Sequence, residues 1–315
     1  MRGADAARSS GAPVSDTPDR IGKYLVQGLI IRTDYSEVWR ARDPDLRQDV
    51  AVKVFRYKRT PGRDRIYGPA FWRERFLAEA RVLAGLDHPH IIAVKELAVP
   101  ENGEPYFVMP YIEANLIYEI GPDAEKPGGE RPRALALERA VVLLRQVVDA
   151  VAALHRLGFV HRDIKPGNVL LTRKRGGSVK LCDFGMVKTP DTHGSRAGVW
   201  VGTLDYMAPE QRRDATKVDA RADVYAIGAL GYRLLTGTLP VGAFPPPHVA
   251  VPTVPRPLSD LVMAALAPDR AHRPANADIM LRRLEAIVPS LPRPAPAKPA
   301  AKLVSITRTT RPTRA

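Results

Sequence analysis

The chain has 315 residues, 45% of them hydrophobic, a single cysteine and a formal net charge of +14. That length allows two lobes around a cleft, and the hydrophobic share is ordinary for a globular protein. One cysteine rules out an intrachain disulfide and a cysteine-clustered zinc site. No apolar run nears the ~20 residues that cross a bilayer and the polar N-terminus has no signal-peptide core, so a cytoplasmic protein without a transmembrane segment is expected.

The charge invites a nucleic-acid reading. Its placement argues against one. Residues 289–315 carry six Lys/Arg and no acid, which leaves +8 for all the rest. Neither an RNA-binding aromatic motif nor a zinc finger accompanies it, and a solubilising or acid-attracting surface is the plainer account.

Residues 1–20 are rich in Ser, Gly, Ala and Pro and read as a disordered leader. Alternating apolar stretches at Tyr24–Ile31, Glu37–Ala41 and Val50–Phe55 read as consecutive strands. A helix is expected at about Phe71–Leu86, then strands near Ile91–Leu97 and Pro105–Tyr111. A polar loop precedes a long amphipathic helix bearing Val141, Leu144, Val148, Val151 and Leu154, which Gly158 ends. Further helices are expected at about Ala220–Leu235 and Asn276–Ile287. Residues 289–315, rich in Pro, Thr, Lys and Arg, read as an extended tail.

Two segments carry chemistry. His161-Arg162-Asp163-Ile164-Lys165-Pro166-Gly167-Asn168 supplies a carboxylate to take a hydroxyl proton, a lysine two residues on to neutralise a phosphate, and an amide oxygen for a metal. Asp183-Phe184-Gly185 supplies a second metal-binding oxygen. Apolar strands follow the first (Val169-Leu170-Leu171) and lead into the second (Val179-Lys180-Leu181-Cys182). Phosphoryl transfer needs positioning and charge cancellation more than covalent chemistry, and this set provides both.

With Val50-Ala51-Val52-Lys53, Glu79, Gly202-Thr203, Ala208-Pro209-Glu210, Asp223 and Arg273 in the same order, the chain resembles the bacterial Hanks-type (eukaryotic-like) serine/threonine protein kinases from about Tyr24 to Val288. The resemblance implies an α+β bilobal fold: a small β-rich N-lobe (21–112) and a larger helical C-lobe (113–288), with the nucleotide cleft between. It also implies transfer of the γ-phosphate of ATP, with Mg²⁺ or Mn²⁺, to Ser or Thr of protein substrates.

In the roles so implied, Asp163 is the base, Lys165 the γ-phosphate screen, and Lys53 with Glu79 the clamp on the other phosphates. Asn168 and Asp183 hold the metal. Val38, Ala51 and Leu170 sandwich adenine near Ile31 and Cys182, Met109 is the gatekeeper, and Tyr111 and Ile112 form the hinge. His161 and Phe184 pack together, Asp223 anchors the catalytic loop, and Glu210 pairs with Arg273. Arg162 awaits a phosphate on the activation loop, for which Thr189, Thr192 and Ser195 are candidates, added in trans within a transient homodimer. Thr203 is expected to bond to Asp163 and Lys165.

One departure bears on function. Counting back from Val38, the three glycine positions of the phosphate loop hold Ile31, Thr33 and Ser36. Glycine there lets backbone amides approach phosphate without a Cβ in the way, so a raised KM for ATP is expected. The same departure motivates an alternative, a pseudokinase scaffold that binds nucleotide weakly; the intact catalytic residues oppose it. A small-molecule phosphotransferase of related fold would leave Gly202-Thr203, Ala208-Pro209-Glu210 and Arg273 without a purpose.

Overall fold

From Val50 to Phe55 every side chain is buried and only Lys53 is charged. This strand runs through the middle of a sheet in a computed structural model that describes residues 18–58, 68–101, 103–123, 129–174, 176–185, 204–214 and 218–291. β1 (Arg20–Ile21), β2 (Tyr24–Arg32) and β3 (Ser36–Asp43) lead to it, β4 (Gln48–Phe55). Helix α1 (Pro69–Ala84), β5 (Glu96–Ala98) and β6 (Tyr106–Pro110) follow. The antiparallel order is β1-β2-β3-β4-β6-β5.

Alternation along β4 gives the sheet two faces. Val50, Val52 and Val54 join Trp39, Ala41, Tyr106 and Val108 on one. Phe55 and Phe107, on the other, join Phe76, Leu77, Ala80 and Leu83 of α1 in the main core. The register sets Ile31 opposite Val38, Val38 opposite Lys53, and Ala51 opposite Met109. Directly opposed residues share a face, so all five look toward the cleft side.

The second half starts with β7 (Ala114–Asn115), α2 (Ile117–Ile120) and α3 (Leu137–Arg156). After the tight turn Pro166–Asn168 come β8 (Val169–Leu171) and β9 (Val179–Leu181), then α4 (Pro209–Arg213), α5 (Ala220–Thr236), α6 (Pro247–Ala250), α7 (Arg256–Ala265) and α8 (Ala277–Ile287). β7, β8 and β9 form a small antiparallel sheet. Helix α5 is apolar nearly all round because it is buried nearly all round, between α3, α7 and α8. Each of its fully buried Ile and Leu side chains contributes roughly 1.5–3 kcal/mol. It ends at Gly237 (φ +77°), where a Cβ would come within 2.7 Å of the Ala134 amide nitrogen.

Two charges are buried on α5. Asp223 faces the catalytic loop. Arg233, fully buried, donates to Asp123 Oδ1 (3.2 Å) and to the carbonyls of Ile120 (3.0 Å), Gly121 (3.3 Å), Pro122 (2.8 Å) and Arg133 (3.2 Å). It thereby satisfies the backbone on both sides of the polar loop ahead of α3.

The expected strand at Ile91–Leu97 is largely absent. Only Glu96–Ala98 pairs with β6. Ile91 forms a parallel bridge with Leu181, and the Ile92 amide donates to the Leu181 carbonyl (2.9 Å). This segment therefore joins the sheet lobe to the helical lobe instead of widening the sheet. Helix α1 begins two residues before the expected start, because Pro69 fits the first helical turn where its missing N–H costs nothing. Helix α7 was not foreseen. Its proline-flanked sequence hid an apolar stripe, and only the short α6 lies between Leu239 and Val254.

Candidate active site

Lys53 Nζ lies 2.8 Å from both Glu79 carboxylate oxygens and 3.2 Å from Asp183 Oδ1. Three remote elements supply these groups: β4, α1 and the turn after β9. Burial pulls the Lys53 pKa down, but Asp183 and Glu79 outweigh it and hold the ammonium above its ordinary value. Burial pushes the Glu79 carboxyl up and Lys53 opposes it. Lys53 also holds the Asp183 carboxyl below the usual carboxylate range. Glu79 takes a further bond, from the Phe184 amide to Oε1 (3.1 Å).

Below this clamp lies the loop that starts at His161. Asp163 accepts from Lys165 Nζ (3.0 and 2.8 Å) and from Asn168 Nδ2 (2.9 Å). Asn168 Nδ2 also donates to the Asp163 carbonyl (2.8 Å), so both amide protons are committed to Asp163. Its oxygen is left as a hard acceptor. The Asp183 side chain is 46% exposed. Such oxygen donors suit a divalent cation held jointly with phosphate, and the pair fits one.

The loop is held from beneath. Asp223 accepts from the amides of His161 (2.7 Å) and Arg162 (2.8 Å). It stays ionised although burial opposes that, because the His155 ring and these amides hold its pKa below the ordinary value. His161 lies edge-on to Phe184, with ring centroids 4.8 Å apart. Arg162 (φ +70°) and Asp183 (φ +64°) both adopt left-handed backbone that side chains rarely take. Each such residue costs about 1–3 kcal/mol and persists only where its surroundings enforce it. Gly185 is small for a reason too, since a Cβ there would press on Glu79 Oε2 at 3.3 Å.

Arg162 is buried, and its Nε and one Nη have no partner among the described residues. Burial first and then Arg75 push its pKa down to about 10. Arg75 itself donates to the Gly185 carbonyl (3.0 Å through Nη2). Farther off, Arg273 forks onto Glu210 (2.7 and 2.9 Å).

Among the residues expected on the adenine side, Ala51 is buried, whereas Val38, Met109, Tyr111, Ile112, Leu170 and Cys182 are half-buried. Ile31 is 53% exposed at the sheet edge. The Cys182 thiol donates to the Asn168 carbonyl (3.4 Å), and burial pushes its pKa up, so it is a packing residue and not a reactive thiolate. Thr189, Thr192, Ser195 and Thr203 lie outside the described residues.

Three contributors escaped the sequence. Arg75 sits one helical turn before Glu79, a spacing that could have found it. His155, which fixes Asp223, and Arg40, whose guanidinium lies 4.6 Å from the Tyr111 ring centroid, carry no local signal.

A curled sheet with a buried lysine–glutamate pair, closed over a helical lobe with a loop aspartate, is the protein-kinase fold. The protein kinase domain family model matches residues 26–249, and the chain belongs to that family. Its relatives are bacterial serine/threonine kinases. The DNA damage-responsive serine/threonine-protein kinase RqkA of Deinococcus radiodurans is 39% identical over 222 residues, covering 70% of this chain and 30% of the relative. Serine/threonine-protein kinase PknL of Mycobacterium tuberculosis is 35% identical over 287 residues, 86% of this chain and 67% of the relative. Pkn3 of Myxococcus xanthus is 31% identical over 300 residues, 86% and 52%. The chain thus spans from about a third to two thirds of the length of these relatives. ATP and a divalent metal are the family's general requirements. Among the described residues no helix is long and apolar enough to cross a membrane.

Proposed function

We propose that the chain is a cytoplasmic serine/threonine protein kinase that moves the γ-phosphate of ATP to Ser or Thr of protein substrates. The observation that carries this reading is the Lys53 ammonium held between Glu79 and Asp183 above a catalytic loop whose Asp163 is already bracketed by Lys165 and Asn168. The N-lobe comprises residues 21–112 and the C-lobe 113–288, with a leader before and a basic tail after.

Asp163 orients the acceptor hydroxyl and takes its proton, a role for which an ionised, partly screened carboxylate is suited. Lys165 offsets charge on the phosphoryl group in flight, and Lys53 neutralises the phosphates behind it. Asp183 and Asn168 would hold Mg²⁺ or Mn²⁺, which supplies further neutralisation of phosphate charge. Val38, Ala51, Met109 and Leu170 line the adenine side, and Tyr111 and Ile112 offer hinge backbone. The buried Arg162, with two guanidinium nitrogens lacking a partner among the described residues, favours control by a phosphate on Thr189, Thr192 or Ser195, since such a guanidinium wants a bidentate anion. Thr203 is assigned the role that the family resemblance implies for it, that of a hydrogen-bond partner of Asp163 and Lys165. Phosphate is added in trans within a transient dimer.

The test is transfer of labelled phosphate from ATP, with Mg²⁺ and separately with Mn²⁺, to the chain itself and to a generic basic protein. Incorporation that disappears in Asp163→Asn is expected. No incorporation at millimolar ATP by the unaltered chain would overturn the reading.

A further inference from the structure

The phosphate loop without its first two glycines is closed by its own side chains. Thr33 Oγ1 accepts from the amides of Ser36 (3.0 Å) and Tyr35 (3.3 Å), and the Thr33 amide donates to the Ser36 carbonyl (2.8 Å). Those are amides of the loop tip that a glycine loop leaves open toward phosphate. The chain leaving β4 adds two clasps: the Arg56 amide donates to the Tyr35 carbonyl (3.0 Å) and the Lys58 amide to the Asp34 carbonyl (2.9 Å). Outside the turn, the Tyr35 ring stacks on Trp72 of α1, centroids 3.6 Å apart at 15°, with Tyr57 alongside at 6.1 Å. Trp72 lies two turns before Glu79 on the same helix.

We infer that Tyr35 and Trp72 are positioning residues that fasten the phosphate loop to α1, so that the loop is set over the nucleotide phosphates by the helix bearing Glu79 and not by the phosphates themselves. This rests on the ATP-dependent reading above. A glycine loop is loose until nucleotide orders it. Here the hydroxyl of Thr33 and the stacked ring order the tip beforehand, which offsets the phosphate contacts that the engaged amides no longer offer.

Two measurements on the full chain test it. The first needs no catalysis: hydrogen exchange without nucleotide. Peptides spanning Leu29–Val38 are expected to be protected in the unaltered chain and to exchange about tenfold faster or more in Tyr35→Ala and in Trp72→Ala, because opening then lacks the stack. Equal exchange in all three chains overturns the proposal even if phosphate transfer fails. The second is steady-state kinetics. Each alanine variant is expected to raise the KM for ATP about 3- to 10-fold, roughly 0.7–1.4 kcal/mol, with kcat within about twofold. Tyr35→Phe and Trp72→Phe keep the stack and the unaltered KM, and the double alanine variant is no worse than either single one. An active unaltered kinase whose KM ignores both alanine changes overturns the inference while leaving the kinase reading in place.

Discussion

His155 Nε2 lies 2.9 Å from Asp223 Oδ2 while its Nδ1 takes the Ala277 amide proton at 3.0 Å. The second contact decides the tautomer: Nδ1 accepts, so the ring proton sits on Nε2 and points at the carboxylate. A buried imidazole thus bridges the first turn of α8 to the anchor beneath the catalytic loop.

Replacing His155 by Phe keeps the ring and removes both bonds, leaving a buried amide and one carboxylate oxygen short of partners. A loss of roughly 2–3 kcal/mol is expected, read as a lower urea midpoint with unchanged slope. kcat should fall more than the KM for ATP rises, because the loop is disturbed and the nucleotide walls are not. An unchanged midpoint would show that the bridge is incidental.

Acid stability should carry the mark of Asp223. Its folded pKa is depressed below the ordinary carboxylate value of ~3.9, so the folded state binds fewer protons than the unfolded one in that window. The stabilisation is complete above about pH 4 and is lost as pH falls through the folded value. Asp223→Asn, less stable throughout, should show a shallower decline below pH 4 than the unaltered chain. Parallel curves would assign acid sensitivity elsewhere.

Lys53→Met leaves Glu79 and Asp183 facing each other without their cation. A fall in kcat/KM of about 10²–10³ is expected, the usual loss on removing one preorganised electrostatic contact. Lys53→Arg should not rescue it, since a planar fork cannot place one donor between two carboxylates as a compact ammonium does. Steady-state assays over ATP concentration check both.

Arg233→Lys tests the loop ahead of α3. A lysine keeps the charge but cannot reach five acceptors at once, so several buried carbonyls lose their donor. A cost of about 3 kcal/mol is expected in thermal or urea denaturation, with Arg233→Met costing more because Asp123 is then left uncompensated. A change below about 1 kcal/mol for the lysine variant would mean that water replaces the guanidinium.

Much of the site was legible because its residues sit in short contiguous runs whose types have few other uses together. Asp163, Lys165 and Asn168 fall within six residues, and β4 announces Lys53 by surrounding it with apolar side chains. Glu210 and Arg273, far apart in sequence, were legible only through the family resemblance, and they pair as expected. What stayed hidden lacks a local period. His155 looks like any polar residue near the end of α3, and Ile91–Ile92 look like a strand although their backbone partner is β9. The stacking of Tyr35 on Trp72 joins two aromatic residues 37 positions apart, with no pattern between them.

Glu79 Oε1 receives both the Lys53 ammonium and the Phe184 amide. One oxygen therefore counts two separate alignments, that of β4 and that of the turn carrying Asp183. If α1 swings away, both contacts vanish in a single step, and of the three charged groups only the Lys53–Asp183 pair stays together. A displacement of α1 would therefore register at β4 and at the Asp183 turn together, the behaviour of a latch and not of a dial.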